Sequence, residues 1–254
     1  VYDVFSVADT VSKADGGTFD GNVTMAGTLA TTGNATFSGD IIKSTSGTSN
    51  FAAGVNAGNS IASGGNYNTV VGDEAGTALT TGDNNTLIGT FSGDAISTSS
   101  ANTAVGSYSM TSMTDGGDNV AVGTSALDVD TKGSESTAVG RNALGSQNFT
   151  SATNTYNVAV GSEAGKAITT GTDNTIVGGL AGDALTDADF NTVVGTAALS
   201  ADTLGSRSTA LGYATLGSQN FSSATDTYNV AVGHAAGNNV TTGIQNTLIG
   251  GLAG

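Results

Sequence analysis

The sequence predicts an all-β chain whose main body is a repetitive parallel β-solenoid, or β-roll, with 17-residue coils. Three observations carry this. A nine-residue phrase built on Asn-Thr-apolar-Val-Gly-x-x-Ala occurs twelve times, starting at Asn50, Asn68, Asn85, Asn102, Asn119, Ser136, Asn157, Asn174, Asn191, Ser208, Asn229 and Asn246. Its fifth residue is Gly in every copy, from Gly54 to Gly250. The two residues before that Gly are apolar in every copy. A short apolar strand that ends on Gly at a fixed period is one coil stacked on the last.

Composition agrees. The 254 residues include 39 Gly, no Pro and only 11% charged residues, far from globular averages. The apolar content is mostly Ala and Val, so the core must be thin and built of many similar layers. The net charge of −15 comes from the scarcity of Lys and Arg. It argues against nucleic acid and against anionic membrane surfaces as partners. With no Cys there are no disulfides and no thiolate metal sites. No apolar run reaches transmembrane length, so no membrane insertion is expected. The chain opens on Val1 and stops at Gly254, at the end of a phrase, and reads as a segment of a longer polypeptide.

Residues 1–14 place Val4, Val7, Ala8 and Val11 on one helical face, and Asp15-Gly-Gly stops the pattern. A short helical or coiled lead-in is expected there. Residues 15–49 change period: Gly21, Gly27, Gly33 and Gly39 are six apart, with alternating apolar and polar residues between them. That spacing predicts short strands with tight turns, a hexad β-repeat shaft segment. The twelve-repeat solenoid occupies residues 50–254.

The phrases at Asn68, Asn85, Asn102 and Asn119 show the usual interval, while those from Ser136 to Asn157 and from Ser208 to Asn229 are longer by four. Both long intervals carry nearly the same insert, Gly145-Ser-Gln-Asn-Phe-Thr-Ser-Ala-Thr-Asn-Thr-Tyr156 and Gly217-Ser-Gln-Asn-Phe-Ser-Ser-Ala-Thr-Asp-Thr-Tyr228. Residues 136–182 and 208–254 therefore superpose without a gap. Four coils form one block, and the block is repeated.

Each phrase position has an expected task. The Gly supplies positive φ or close backbone approach. The leading Asn, stacked at ~4.8 Å, can build a side-chain ladder or an Asx-turn. Neighbouring strand residues point to opposite faces, so the adjacent apolar pair makes both faces apolar. We expect Val to fill the roll and the smaller residue before it to meet another chain. A compensation marks the second wall. Where the ninth residue is Gly (Gly58, Gly76, Gly93, Gly165, Gly182, Gly237), the twelfth is large (Ile61, Leu79, Ile96, Ile168, Leu185, Val240). Where the ninth is Leu127 or Leu199, the twelfth is Asp130 or Asp202. Twelve coils at ~4.8 Å each give a stack on the order of 55–60 Å long.

Little in the chain points to catalysis. His234, the single His, sits at a phrase position that also accepts Asp, Thr, Ser, Arg, Gly and Tyr, as a solvent-facing turn would. The acids fall mostly at variable turns, and no Trp offers a sugar platform, so a glycosidase is disfavoured. Asp83-Asn-Asn, Asp115-Gly-Gly-Asp and Asp128-Val-Asp are oxygen-rich but match no calcium loop. The Thr column at the second position raises ice binding, yet its same-face neighbour is Val rather than Thr. No catalytic, metal or cofactor site is assigned. The inserts are the candidates for recognition, with Phe149, Tyr156, Phe221 and Tyr228 as possible receptor contacts beside the plainer role of plugging the core or capping a corner.

Asn102-Thr-Ala-Val-Gly-Ser-Tyr-Ser and Asn157-Val-Ala-Val-Gly-Ser-Glu-Ala-Gly resemble the head repeats of trimeric autotransporter adhesins. Those heads are left-handed β-roll trimers with shorter coils than the ones read here. Asn191-Thr-Val-Val-Gly-Thr-Ala-Ala-Leu is more similar to bacteriophage tail-fibre proteins, as are Ser12-Lys-Ala-Asp-Gly-Gly-Thr-Phe-Asp-Gly-Asn-Val-Thr-Met and Gly33-Asn-Ala-Thr-Phe-Ser-Gly-Asp-Ile. The resemblance covers almost the whole chain. It implies a homotrimer, intertwined or side by side, and a non-enzymatic shaft of a phage tail fibre used in attachment. The location implied is the virion tail. The implied partners are other tail or baseplate proteins and a host-surface glycan or outer-membrane protein. The alternative is a bacterial cell-surface adhesin or extracellular filament of the trimeric autotransporter type.

Overall fold

The computed structural model describes residues 46–254. The lead-in expected over 1–14, and the hexad segment over 15–49 apart from its last four residues, lie outside them. The described residues are all-β with no helix: a parallel β-solenoid of twelve coils. Each phrase contributes one three-residue strand, such as Thr69–Val71, Thr86–Ile88 and Thr103–Val105. The twelve strands form one sheet in sequence order, from Phe51–Ala53 to Thr247–Ile249.

Register follows the phrase. Val70 pairs with Leu87 and Leu87 with Ala104, each one phrase interval further on. Across the first insert Ala138 pairs with Ala159, so the extra length of that interval leaves the sheet undisturbed. The inserts instead add two-residue strands at another wall. Thr153–Asn154 lies on Gly133–Ser134, and Thr225–Asp226 lies on Gly205–Ser206.

The phrase Gly both needs positive φ and is approached closely. All twelve have φ between 123° and 140°. A Cβ on Gly140 would lie 2.3 Å from the carbonyl oxygen of Gly161 in the next coil. No side chain fits between two such turns.

The residue before the phrase and its seventh residue are also left-handed in every coil, with φ from 50° to 62° and from 51° to 61°. Most of these are not Gly or Asn; they include Tyr67, Glu135, Phe190 and Leu180. Such conformations cost an ordinary residue roughly 1–3 kcal/mol each. Hydrogen bonds between coils offset that cost: Tyr108 N–H donates to Thr90 C=O, and Phe190 N–H to Thr172 C=O, at 3.0 and 3.1 Å. An isolated coil lacks these acceptors.

One expectation is corrected. The small third residue of the phrase points inward, and the Val beside it points out. Ala104, Ala121, Ala138 and Ala159 are fully buried, whereas Val122, Val160 and Val194 are between a third and two-fifths exposed. The reason is the width of the roll. Ala57, Ala75 and Ala126 at the eighth position are buried too, and the large twelfth residues Leu79, Ile96 and Leu185 take the remaining interior. The sheet wall has room for Ala in most coils. Ala therefore belongs to the core of a single chain, not to a contact between chains.

The ninth-to-twelfth compensation is steric. A Cβ on Gly58 would lie 2.8 Å from Cδ1 of Ile61, and one on Gly182 would lie 2.9 Å from Cδ1 of Leu185. Where the ninth residue is Leu127, Leu144, Leu199 or Leu216, that side chain is itself fully buried.

Candidate functional site

The Asn ladder is present on the inside of the coil. Asn85 Oδ1 accepts from the backbone N–H of Asn102 at 3.0 Å, and Asn102 Oδ1 accepts from that of Asn119 at 3.2 Å. Each amide also donates across the coil, as Asn119 Nδ2 does to Gly133 C=O at 2.9 Å. All these Asn are buried. The ladder satisfies donors and acceptors that the thin core could not otherwise accommodate.

At Ser136 and Ser208 the ladder is rebuilt by the inserts. Gln147 Nε2 donates to Ser136 Oγ at 2.8 Å and to Asp130 Oδ2 at 2.6 Å, while its Oε1 accepts from Asn157 Nδ2 at 2.9 Å. Thr155 hydrogen-bonds Ser136 through its hydroxyl. Asp130 Oδ1 accepts from the backbone of Gly133 and Phe149 at 3.0 and 3.1 Å. The second block repeats this with Gln219, Ser208, Asp202, Asn229, Thr227 and Phe221. Asp130 and Asp202 are thus fully buried carboxylates with both oxygens bonded. The sequence signal was the coincidence of Ser for Asn with Gln at the twelfth position in the same coils, preceded by Asp in the coil before.

The four candidate contacts fall into two classes. Phe149 and Phe221 are buried at 7% exposure, outside the main core cluster of the roll. They are not presented to a ligand in this arrangement. Tyr156 and Tyr228 are exposed by about half and occupy the left-handed residue before the phrase. Tyr156 Oη accepts from Asn154 Nδ2, which also donates to Glu135 Oε1 at 2.7 Å. In the second block the partners are inverted: Arg207 pairs with Asp226 at 3.0 Å. The Arg207 guanidinium lies 4.6 Å from the Phe190 ring centre and 6.0 Å from that of Tyr228. Phe190, Arg207 and Tyr228 all precede a phrase, so aligning that one residue across the copies would have found this cluster.

Other exposed or half-buried side chains stack along the coils. Phe91 lies on Tyr108 at 5.3 Å and His234 on Tyr213 at 5.2 Å, both near parallel. His234 is exposed, as its phrase position predicted. A cleft of about 160 Å³ opens where Gly145 leaves a gap between Asp128 and Lys166, with Ser125, Asn142 and Ser146 on its sides. Lys166 and Arg141 both pair with Glu163, and the Arg141 hydrogen bond, then that of Lys166, hold the Glu163 carboxyl below its ordinary range. Burial raises the carboxyls of Asp94 and Asp183, each of which has one oxygen without a hydrogen-bond partner.

No group of three or more His, Cys, Asp or Glu is placed to hold a metal ion among the described residues. No helix among them is long and apolar enough to cross a membrane. Comparison with protein-family models, curated proteins and solved structures finds no match for this chain.

Proposed function

We propose that the chain is a non-enzymatic shaft segment of a phage tail fibre, built from three copies and used to hold a host-attachment element away from the particle. The observation that carries this reading is the uninterrupted stack. Twelve coils share one sheet and one inner ladder, and both inserts are absorbed without a break in register. Such an array resists bending because every coil is bonded to both neighbours. A row of outward Val, Ile and Leu side chains favours several chains over one. The resemblance of its phrases to tail-fibre sequences favours the phage over other fibrous assemblies.

The test is where the protein resides. Gold-labelled antibody against the purified chain should decorate the tails of phage particles released from the host. Label on intact bacterial cells and none on particles would replace this reading with the surface adhesin. Turnover of host glycan by the purified chain would overturn the non-enzymatic part.

A further inference from the structure

The outward face of the twelve-stranded sheet is built from the second and fourth residues of each phrase. The second column reads Phe51, Thr69, Thr86, Thr103, Val120, Thr137 and onward; the fourth reads Ala53, Val71, Ile88, Val105, Val122, Val139 and onward. None of these residues is fully buried. None in either column is charged, in a chain of net charge −15. Carboxylates lie instead on the flanking corners, for example Asp118, Glu135 and Asp173 before the phrase and Asp73 after the Gly. The face is an uncharged, largely β-branched strip, a Thr-rich column beside an apolar one, bordered by charge.

From this we infer that the strip is a self-association surface, seated against the same strip of another copy of the chain. Two arguments select that occupant. The first is pitch. The side chains recur once per coil at ~4.8 Å, so the ridges of one copy fit between those of another along the whole length. A partner of any other period loses register within a few coils. The second is area. Twelve strands span on the order of 55 Å, and a three-residue strand with its side chains is ~10 Å wide, giving about 550 Å² per copy. Two copies then bury about 1,100 Å², which passes the ~1,000 Å² expected of a specific interface. The uncharged columns keep carboxylates out of the contact itself, so the repulsion of the net charge acts only across the rim, where salt screens it. This inference rests on the multi-chain shaft proposed above and names the surface on which its copies meet: two strips pressed face to face close at two copies, and three copies bring their strips together about one axis.

The test is assembly of the purified chain. Val122, Val160 and Val194 are changed together to Glu, with Thr81, Thr98 and Ser151, exposed away from the strip, changed to Glu as the matched control. Sedimentation should give a multimer for the wild type and the control. The Val variant should sediment as a monomer with unchanged circular dichroism, its association constant lowered on the order of 1,000-fold by three unpaired buried carboxylates. Should that variant fail to fold, a single Val160→Cys in this Cys-free chain supplies the second measurement. Val160 lies in the seventh of the twelve strands, so it meets its counterpart closely whether the copies run parallel or antiparallel. A short bis-maleimide linker, to which one thiolate of each copy adds, should join copies through Val160→Cys and not through Ser151→Cys. A multimer that survives the Val changes, or links through Ser151→Cys alone, overturns the face and leaves the shaft reading standing. A wild type that is a dimer, dissolved by the Val changes, upholds the face and overturns the three-copy assembly; a wild type that is monomeric overturns both.

Discussion

Gln147 Nε2 lies 2.6 Å from Asp130 Oδ2, and the two residues hold the same twelfth position in adjacent coils. Where other coils place Leu79 or Ile96, these two place a hydrogen-bonded pair in the core. The pair is self-consistent only because Gln147 also reaches Ser136 and Asn157. It carries the polar inner ladder past the coil that has lost its Asn.

Removing one member strands the others. Asp130→Ala leaves the N–H groups of Gly133 and Phe149 and the Gln147 amide without their acceptor in a buried site. A loss of about 3 kcal/mol or more is expected. Urea unfolding followed by amide exchange should show it, with the largest loss of protection at residues 130–157. Asp202→Ala should do the same in the second block.

Gly178 and Gly179 are neighbours with opposite tolerance. Gly178 has φ +134°, and a Cβ there would lie 2.7 Å from the backbone of Gly195. Gly179 has no positive φ, and its nearest neighbour would be 3.9 Å away. Gly178→Ala should cost about 2 kcal/mol or more, while Gly179→Ala should be neutral or stabilise by up to ~1 kcal/mol. Thermal melts of the two variants side by side decide it.

The ninth and twelfth positions should be coupled. Gly58→Leu alone drives into Ile61, and Ile61→Ala alone leaves a cavity; each should cost roughly 1–4 kcal/mol. Ala52, the other neighbour, is small and 3.6 Å from the added Cβ, so the new side chain would have the space vacated by Ile61. The double variant should therefore be more stable than the sum of the singles by about 1 kcal/mol or more. Additivity in a double-mutant cycle would show that the compensation has no steric origin.

Asp94 and Asp183 set a pH dependence. Burial raises both carboxyls, so the folded chain binds protons more tightly than the unfolded chain there. Their contribution is fully favourable below the ordinary carboxylate range and is lost as pH rises through the raised values. Asp94→Asn and Asp183→Asn should raise the melting temperature at pH 7 and change it less at pH 4. An equal shift at both pH values would place the effect elsewhere.

The period, the Gly turns, the Asn ladder and the ninth-to-twelfth exchange were all legible because each imposes a residue type. The direction of the strand was not. Two adjacent apolar residues define two faces but do not say which is inside, and Ala104 beside Val105 reads equally well either way. A partial hint lay in the second wall: four of the five large ninth residues, Met110, Leu127, Leu144 and Leu216, accompany Ala104, Ala121, Ala138 and Ala210, while Leu199 accompanies Val193. The left-handed corners left no trace, because Tyr67, Glu135, Phe190 and Arg207 share a backbone conformation and no side-chain chemistry. At the candidate site the inserts were visible as extra length. That Phe149 is buried while Tyr156 stays half exposed depends on the path of the insert, which no local pattern reveals.

Tyr156 and Tyr228 occupy the same corner four coils apart, ~19 Å at the strand spacing. Since the four-coil block returns in phase, each additional block would set one more insert on that corner at the next equal step. The solenoid is in this sense a ruler with its graduations built in. Its reach can be lengthened by duplicating a block, and the marks along its edge stay aligned.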